Sequence, residues 1–482
     1  MRKLLYIILL SLSFTSLFVA CNNDLDFTTN ANDVLSFSTD TISFDTVFTT
    51  VGSSTREFKV YNNNKKALKI SSVRIANAEK TGFHINVDGW GGHSSVEDIE
   101  LNGKDSLSIF VEVNVNPTDK DNPILINDSI IFITNGVTQI VTLIAYGQDV
   151  YIWRGKTIDR DTLLTGQKPF LIYDSLVVAP GATLSVDQGV NFYFHDKANM
   201  LVKGCIKAKG TWDDPVVFRG DRSDELLSGL SYDLVPGQWG GIRLSSDSYD
   251  NEFDHVYIRN GTYGILSDSS DVTRLKIQLK NSVVHNVTGN LISGINYQIQ
   301  AENCRLSNAG GAIVKLLGGN GRFVQCTMAN YMSLSARNSA SLIIKNYNVF
   351  GDNQVVLYPV EEATFLNCII YGSWASSSSG EIVLDNEYKN TAVPAPFNHY
   401  FDYCLLGTNG EDDADFVATL WNKNPDFRYL NKKNDYKYDF RLDSISTARD
   451  YGNKNTGYQY PYDITGKSRT QDAGPDLGCY EY

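Results

Sequence analysis

Positive charge is scarce in this sequence and is not clustered. The 482 residues include 42 lysines and arginines against 55 aspartates and glutamates, a net charge of −13. Because nucleic-acid binding depends on clustered basic side chains that neutralise phosphates, we expect no nucleic-acid partner. A local basic groove is compatible with an acidic total, so the composition leaves an anionic polysaccharide open as a ligand.

Long apolar runs are lacking after residue 20. No later stretch approaches the roughly 18 consecutive apolar residues of a membrane-spanning helix. Residues 1–20, MRKLLYIILLSLSFTSLFVA, place Arg2 and Lys3 before an apolar run that ends at Ala20, a pattern typical of a signal peptide. We therefore expect an exported protein that contacts the membrane only through an anchor.

Cys21 follows this segment directly and precedes the polar residues NNDLD. The arrangement resembles a bacterial lipoprotein signal, which implies that the Cys21 thiol is lipidated and becomes the mature N-terminus. Phe18 departs from that pattern, which has an aliphatic residue there, and an ordinary cleaved signal is the alternative. Residues 21–34 resemble the acidic tethers of surface-exposed Bacteroidetes-type lipoproteins. This resemblance implies a lipid-anchored location on the outer membrane, facing outward.

Residues 35–149 contain period-2 segments separated by turn signals. Such alternation predicts short strands with one buried face, packed as an antiparallel sandwich. The order of the segments resembles the immunoglobulin-like modules of bacterial lipoproteins. We expect an immunoglobulin-like β-sandwich that acts as a spacer between the anchor and the following domain.

Cysteine is rare, seven residues in all, yet it recurs at one point of a repeated phrase. The phrases are AENCRLSN (301–308), RFVQCTMAN (322–330) and FLNCIIYG (365–372). Their alignment defines a column of Val256, Ser282, Cys304, Cys326, Tyr347, Cys368 and Cys404. A unit of about 22 residues cannot bury its own apolar face, whereas stacked units can. The repeat therefore predicts a parallel solenoid in which this column points inward.

The same column bears on disulfides, which an exported protein can form. With Tyr347 as an intervening rung, Cys326 and Cys368 would lie two coils apart, beyond the roughly 7 Å Cα limit of a disulfide. Cys304 and Cys326 would lie on adjacent coils, within that limit. We expect free, buried thiols, with a disulfide as the alternative for the adjacent pair.

The region 150–482 resembles the right-handed parallel β-helix of the pectin-lyase-like superfamily. The resemblance rests on the strand and turn pattern of 176–222, on GQWGGIRL (237–244), and on the tail DITGKSRTQDAGPDLGCYEY (463–482). It implies an all-β chain in which the immunoglobulin-like sandwich is followed by a right-handed parallel β-helix with a loop insertion at about 373–400.

Within this superfamily, lyases and glycosidases need charged groups on neighbouring coils of one outward face. The sequence contains neither the hydrolase set of motifs N-T-D, D-D and G-H-G nor the lyase motif R-x-P-x-x-R. The histidines of the region share no metal-ligand spacing: His195, His255, His285 and His399. We therefore predict no catalytic residues, and the alternative is a polysaccharide lyase or glycoside hydrolase with an unfamiliar site.

Two groups of carboxylates are candidate Ca²⁺ ligands, because this ion takes oxygen ligands. Asp247, Asp250 and Asp254 form one group, and Asp412 and Asp413 belong to the other. Solvated acidic loops are the alternative for both. No other cofactor or metal is expected.

Aromatic and basic side chains supply the candidate glycan-binding residues. Trp374, Tyr388 and Phe397 lie in the insertion, where an exposed loop often carries binding, or they hold that loop against the coil. A basic strip on the solenoid is the second candidate, formed by Arg259, Lys280, Arg305 and Lys345. We expect a surface lipoprotein that binds extracellular polysaccharide or envelope components without catalysis. A purely structural envelope protein is a third hypothesis.

Overall fold

The computed structural model describes residues 26–90, 94–227, 229–351, 354–386 and 395–482. The protein is 50% strand and 3% helix, with β-sandwich-like sheets followed by a β-helix solenoid, so the predicted fold class is confirmed. The chain divides into two compact units between Asp149 and Val150. Each unit has its own hydrophobic core. No helix among the described residues is long and apolar enough to cross a membrane.

In its described residues, the N-terminal unit consists of two sheets and one short helix, Ala78–Thr81. The four-stranded sheet has the order Ser36–Phe37, Arg56–Tyr61, Ser106–Val113, Phe83–Val87. The five-stranded sheet has the order Thr41–Phe48, Val137–Gln148, Ile124–Thr134, Leu68–Ile75, Ser95–Leu101. Strands such as Leu68–Ile75 alternate buried and exposed residues, as period-2 patterning requires.

Two details of this unit differ from the predicted antiparallel sandwich. Thr41–Phe48 pairs with Val137–Gln148 in parallel, which is possible because all the intervening strands form the connection between them. The edge strand Ser95–Leu101, SVEDIEL, gave no period-2 signal because most of its side chains are exposed or half-buried. The immunoglobulin-like resemblance of the unit stays a prediction.

The C-terminal unit winds three parallel faces around one core, and we call them A, B and C in the order in which the chain visits them. Face A consists of the first half of Phe170–Val178, then Asn191–Phe194, Val216–Gly220, Val256–Arg259, Val283–Val287, Arg305–Ala309, Thr327–Asn330, Ile369–Gly372, Leu405–Leu406 and Leu420–Trp421. Face B consists of the second half of Phe170–Val178, then Asn199–Val202, Ile242–Leu244, Ile265–Ser267, the first parts of Ile292–Glu302 and Val314–Val324, Leu342–Lys345 and Ile382–Asp385.

Face C completes each coil. It consists of Thr162–Leu164, Thr183–Val186, Cys205–Lys209, Asn251–Asp254, Ile277–Lys280, the second parts of Ile292–Glu302 and Val314–Val324, Val360–Leu366, Tyr400–Asp402 and Phe416–Val417. The first strand of the unit, Tyr151–Ile158, pairs along the whole of Phe170–Val178. Among the described residues, the elements outside the three faces are the hairpins Glu225–Leu227/Leu230–Ser231, Tyr347–Phe350/Gln354–Leu357 and Phe427–Leu430/Tyr438–Leu442, the 3₁₀ helix Tyr232–Leu234 and the helix Lys454–Gln459.

The predicted inward column is confirmed except at one rung. The residues that stack, each completely buried, are Val256, Ser282, Cys304, Cys326, Cys368 and Cys404. Tyr347 is not a rung, because Tyr347–Phe350 leaves the coil and pairs antiparallel with Gln354–Leu357 as a hairpin. Thr327 consequently pairs directly with Ile369, and Cys326 and Cys368 lie on neighbouring coils rather than two coils apart. All six cysteines of the described residues are free thiols, as expected.

A single left-handed residue turns the chain from face C into face A on successive coils. These residues have φ between 46° and 57° and are His255, Asn281, Asn303, Gln325, Asn367 and Tyr403. Asn260, Asn286 and Asn308, each four residues after a rung, are left-handed at a second corner. Asparagine suits both corners because its short polar side chain can bond to the neighbouring coil. Asn303, for example, donates to Asn281 Oδ1 at 2.9 Å.

The C-terminal segment folds back over the outward side of face A. Outward residues of three late coils, Ala329, Ile369 and Leu405, form a buried cluster with Phe427 and Phe440 of the last hairpin. The tail is attached to the same face, where the Cys479 amide donates to Thr327 Oγ1 at 3.0 Å. The late coils of face A are therefore covered by protein.

Candidate ligand-binding site on face A

The outward side of face A carries arginine or histidine side chains on three consecutive coils. Arg259 pairs in register with His285, and His285 with Ser307. Arg305 lies two residues before Ser307 on the same strand and therefore points to the same side of the sheet. Arg259, His285, Arg305 and Ser307 form the floor of a cavity, which we call the face A pocket.

Loops that are distant in sequence form the walls of the face A pocket, which has a volume of about 340 Å³. One wall is the 3₁₀ helix Tyr232–Leu234, and Asn286 donates a hydrogen bond to the Leu234 carbonyl at 2.8 Å. The other wall combines Met332–Leu334 with part of the last hairpin. The Tyr438 hydroxyl joins these two segments, since it donates to the Tyr331 carbonyl at 2.9 Å and contacts Ser333 Oγ at 2.8 Å.

Positive charge is in excess in the pocket. The Asp233 carboxylate contacts Arg219 at 2.9 Å and Arg259 at 3.0 Å, so one negative charge is shared by two guanidinium groups. Among the described residues, Arg305 has no carboxylate within 4 Å, and the Nε atoms of Arg259 and Arg305 have no hydrogen-bond partner. Arg305 lies against the Tyr480 hydroxyl, whose pKa is raised to about 12 by burial. The pocket therefore presents guanidinium N–H groups that can donate hydrogen bonds to an anion.

His285 is an uncharged group between these two arginines. Burial, followed by repulsion from Arg305 and Arg259, holds the pKa of His285 well below its usual range. Burial and the nearby Arg219 likewise lower the pKa of Arg259, while Asp233 opposes that shift. At neutral pH the pocket floor thus consists of a neutral imidazole flanked by two guanidinium groups, an arrangement suited to a carboxylate or sulfate with adjacent hydroxyls.

The predicted basic strip is wrong as a single surface, because its members lie on different faces. Arg259 and Arg305 lie together on face A. Lys280 lies on face C beside Glu302, at 3.7 Å, and Lys345 lies on face B, paired with Asp385 at 2.8 Å. Each coil has three faces, so outward basic residues that recur along the repeat can lie on different faces of the solenoid.

The aromatic candidates in the insertion contact different parts of the protein. The Trp374 ring packs on the Arg337 guanidinium at 4.7 Å, and Arg337 pairs with the buried Glu381. Phe397 packs against the solenoid core and lies 5.4 Å from the His399 ring. Tyr388 lies outside the residues that the structure describes. Trp374 and Phe397 make contacts that hold the insertion against the coil, and glycan binding by them stays a prediction.

The candidate Ca²⁺ ligands have protein partners in most cases. Asp250 lies 3.6 Å from Arg274, and Asp254 accepts from Asn281 and contacts His255. Asp412 accepts from the Trp421 indole at 2.9 Å, and Asp413 accepts two backbone amides of its own loop. Asp247 is exposed. Among the described residues, no group of three or more histidines, cysteines, aspartates or glutamates is placed to hold a metal ion. Cys21, the predicted lipid attachment site, is not among these residues.

Sequence reasoning missed His285, Asp233 and Tyr438 as members of one site. The repeat contained a signal for His285, because Arg259, His285 and Ser307 each follow a rung residue by three positions. Asp233 and Tyr438 belong to an inserted loop and to the C-terminal hairpin, outside the repeat. Nothing in the sequence placed them beside the floor.

Comparisons with known proteins identify no family for the chain. No protein-family model matches it. Protein bark beetle of Drosophila melanogaster is 31% identical over 106 residues, which is 21% of this chain and 3% of that protein. Two solved structures resemble parts of the chain, each with a TM-score of 0.17 and covering 24% of it. They are a family 123 glycoside hydrolase from Clostridium perfringens, 8% identical over 26% of its chain, and the periplasmic chaperone SfaE, 12% identical over 57%. These partial likenesses carry no argument about function, which rests on the face A pocket.

Proposed function

We propose that the protein binds an anionic polysaccharide in the face A pocket and does so without catalysis. The observation that carries the proposal is the convergence of Arg259 and Arg305 around the neutral His285, with Asp233 as the nearby counter-charge. Guanidinium groups bind carboxylates and sulfates in a bidentate manner, and partial burial strengthens such contacts. Polysaccharides that contain uronic acids present carboxylates together with hydroxyl groups.

The setting of this activity is the cell envelope. The N-terminal segment resembles a lipoprotein signal, and we propose that lipidated Cys21 anchors the chain to the outer membrane with the β-helix directed outward. The N-terminal unit then acts as a spacer. The partners are extracellular polysaccharides or other envelope components, and the membrane is contacted through the anchor alone.

Calorimetric titration with tetragalacturonate, a short uronic-acid chain, tests the proposal. Arg305→Gln removes a guanidinium that has no carboxylate partner among the described residues, so binding should weaken about tenfold or more, because a hydrogen bond to a charged group contributes about 1.5–3 kcal/mol. Arg305→Lys keeps the positive charge but not the planar set of donors, so its affinity for tetragalacturonate should lie between those of the wild type and Arg305→Gln.

Lys280→Gln is the matched control, since it removes one outward cation from face C and should leave the affinity unchanged. Thermal unfolding of each variant shows whether the fold is retained, because Arg305 also contacts Tyr480. Equal affinities for the wild type and Arg305→Gln, with both folded, would show that the pocket is not the binding site.

A polysaccharide lyase is the second candidate, and the neutral His285 favours it. An unprotonated imidazole can accept the proton α to a uronate carboxylate while a guanidinium stabilises the charge that develops. The C–O bond at the β position then breaks, which leaves an unsaturated sugar, and the departing oxygen takes the proton from the imidazolium. Incubation with polygalacturonate distinguishes the two candidate functions. If the wild type produces the absorbance of unsaturated uronate and His285→Gln does not, the protein is a lyase rather than a binding protein without catalysis.

A further inference from the structure

The length of the face A pocket constrains the part of a glycan that it can take. Toward the C-terminus the floor ends at the coil of Arg305 and Ser307. On the next coil Ala329 is buried in the cluster formed with Phe427 and Phe440, and Tyr331 stacks on Phe440 with ring centroids 6.2 Å apart. An extended ligand cannot continue along face A in this direction.

Toward the N-terminus the row of available guanidinium groups ends at Arg259. The carboxylate of Asp233 lies between Arg219 and Arg259, at 2.9 and 3.0 Å. The loop that carries Asp233 is attached to the coil, since Asn260 donates to the Asp233 carbonyl at 2.9 Å. Asp233 and Leu234 therefore stand as a wall over the start of the floor.

Three coils remain between these two boundaries. With coils roughly 4.8 Å apart, the floor from Arg259 to Arg305 is about 10 Å long. The cavity volume of about 340 Å³ is at the lower end of the range for small-molecule sites. A polymer that lies along the solenoid axis needs a floor that is open at both ends, and the floor of this pocket is closed at both ends.

We propose that the pocket binds the end of an acidic glycan chain, a terminal uronate, while the rest of the chain extends into solvent. The inference rests on the proposed function and narrows it from an anionic polysaccharide to a chain terminus. The walls that impose this selection are Asp233–Leu234 on one side and Met332–Leu334 with Tyr438 on the other.

Titration of the full chain with di-, tetra- and octagalacturonate tests the inference. A terminal site has one binding position per chain whatever the chain length, so the three dissociation constants per mole of chain should agree within about threefold. A site for internal sugars gains positions with each added residue, and octagalacturonate should then bind more than about threefold tighter than digalacturonate.

The outcomes separate the two proposals. Constants that agree, and that all weaken in Arg305→Gln but not in Lys280→Gln, support the terminal site. Affinity that rises with chain length overturns the terminal site and leaves polysaccharide binding intact. Absence of binding at every length overturns both.

Discussion

His285 has a protonation state that is set by its neighbours. Arg259 and Arg305 lie on the adjacent coils, and each opposes a positive charge on the imidazole, in addition to the effect of burial. The two arginines differ in turn, since Arg259 contacts Asp233 whereas Arg305 has no carboxylate within reach among the described residues. Arg305 is therefore the cation most available to a ligand.

The lowered pKa of His285 makes the stability of the folded chain depend on pH. An unfolded histidine has a pKa of about 6.5. As the pH falls through that value, the unfolded chain gains a proton that the folded chain does not, so His285 lowers stability by up to about 1.4 kcal/mol per pH unit until its own folded pKa is reached. In His285→Gln, the decrease in unfolding temperature between pH 8 and pH 5.5 should be smaller than in the wild type. Parallel pH curves for the two proteins would contradict the depressed pKa.

The C-terminal tail contains a buried ion pair beside the solenoid. Arg469 and Glu481 lie 2.9 Å apart with side chains 0% and 1% exposed, and Arg469 also donates to Asn303 Oδ1 at 2.9 Å. The pair thus joins the last residues of the chain to a corner of the solenoid. Tyr480, next to Glu481, is the residue that contacts Arg305. The tail is in this way connected to the pocket floor.

Arg469→Met should destabilise the protein by about 3–5 kcal/mol, because it leaves the Glu481 carboxylate buried without its partner. Arg441→Met is the matched control, since Arg441 pairs with Asp439 at the surface with the side chains 52% and 29% exposed. Loss of such an exposed pair costs about 0–1 kcal/mol. Urea denaturation of the three proteins gives both values. Similar small losses in the two variants would show that the tail is not held by the buried pair.

At the scale of the whole molecule, each of the two units has a core of its own. Phe132 lies in the core of the N-terminal unit, 4.9 Å from the Phe37 ring. Phe365 lies in the solenoid core, stacked between Phe323 at 5.0 Å and Phe401 at 4.6 Å. Both rings are completely buried, and each contacts residues of its own unit. Separate cores of this kind unfold as separate units.

We expect calorimetry of the full chain to show two unfolding transitions that respond to different substitutions. Phe132→Ala should lower the midpoint of one transition and Phe365→Ala the midpoint of the other, each by the equivalent of about 3–5 kcal/mol for a buried phenylalanine. The two variants remove the same side chain and are controls for each other. A single transition that both variants shift would mean that the two units unfold together.

Most of the inward-facing structure could be predicted from the sequence. A rung residue is repeated at regular intervals because each coil must fill the same interior position, so Cys304, Cys326 and Cys368 appear in equivalent phrases. The prediction was wrong at Tyr347 because the hairpin strands Tyr347–Phe350 and Gln354–Leu357 have an apolar pattern similar to that of a coil. The alternation of residues does not distinguish parallel from antiparallel pairing.

The sequence by itself determined the solenoid, since burial of stacked side chains imposes a period that is visible along the chain. Only the tertiary structure decided the candidate site. Outward side chains do not have to fill a core, so no period in the sequence distinguishes Arg259, Lys280 and Arg305. Lys280 nevertheless lies on face C, whereas Arg259 and Arg305 lie together on face A. Asp233 and Tyr438 reach the pocket from loops outside the repeat, where spatial proximity leaves no periodic trace.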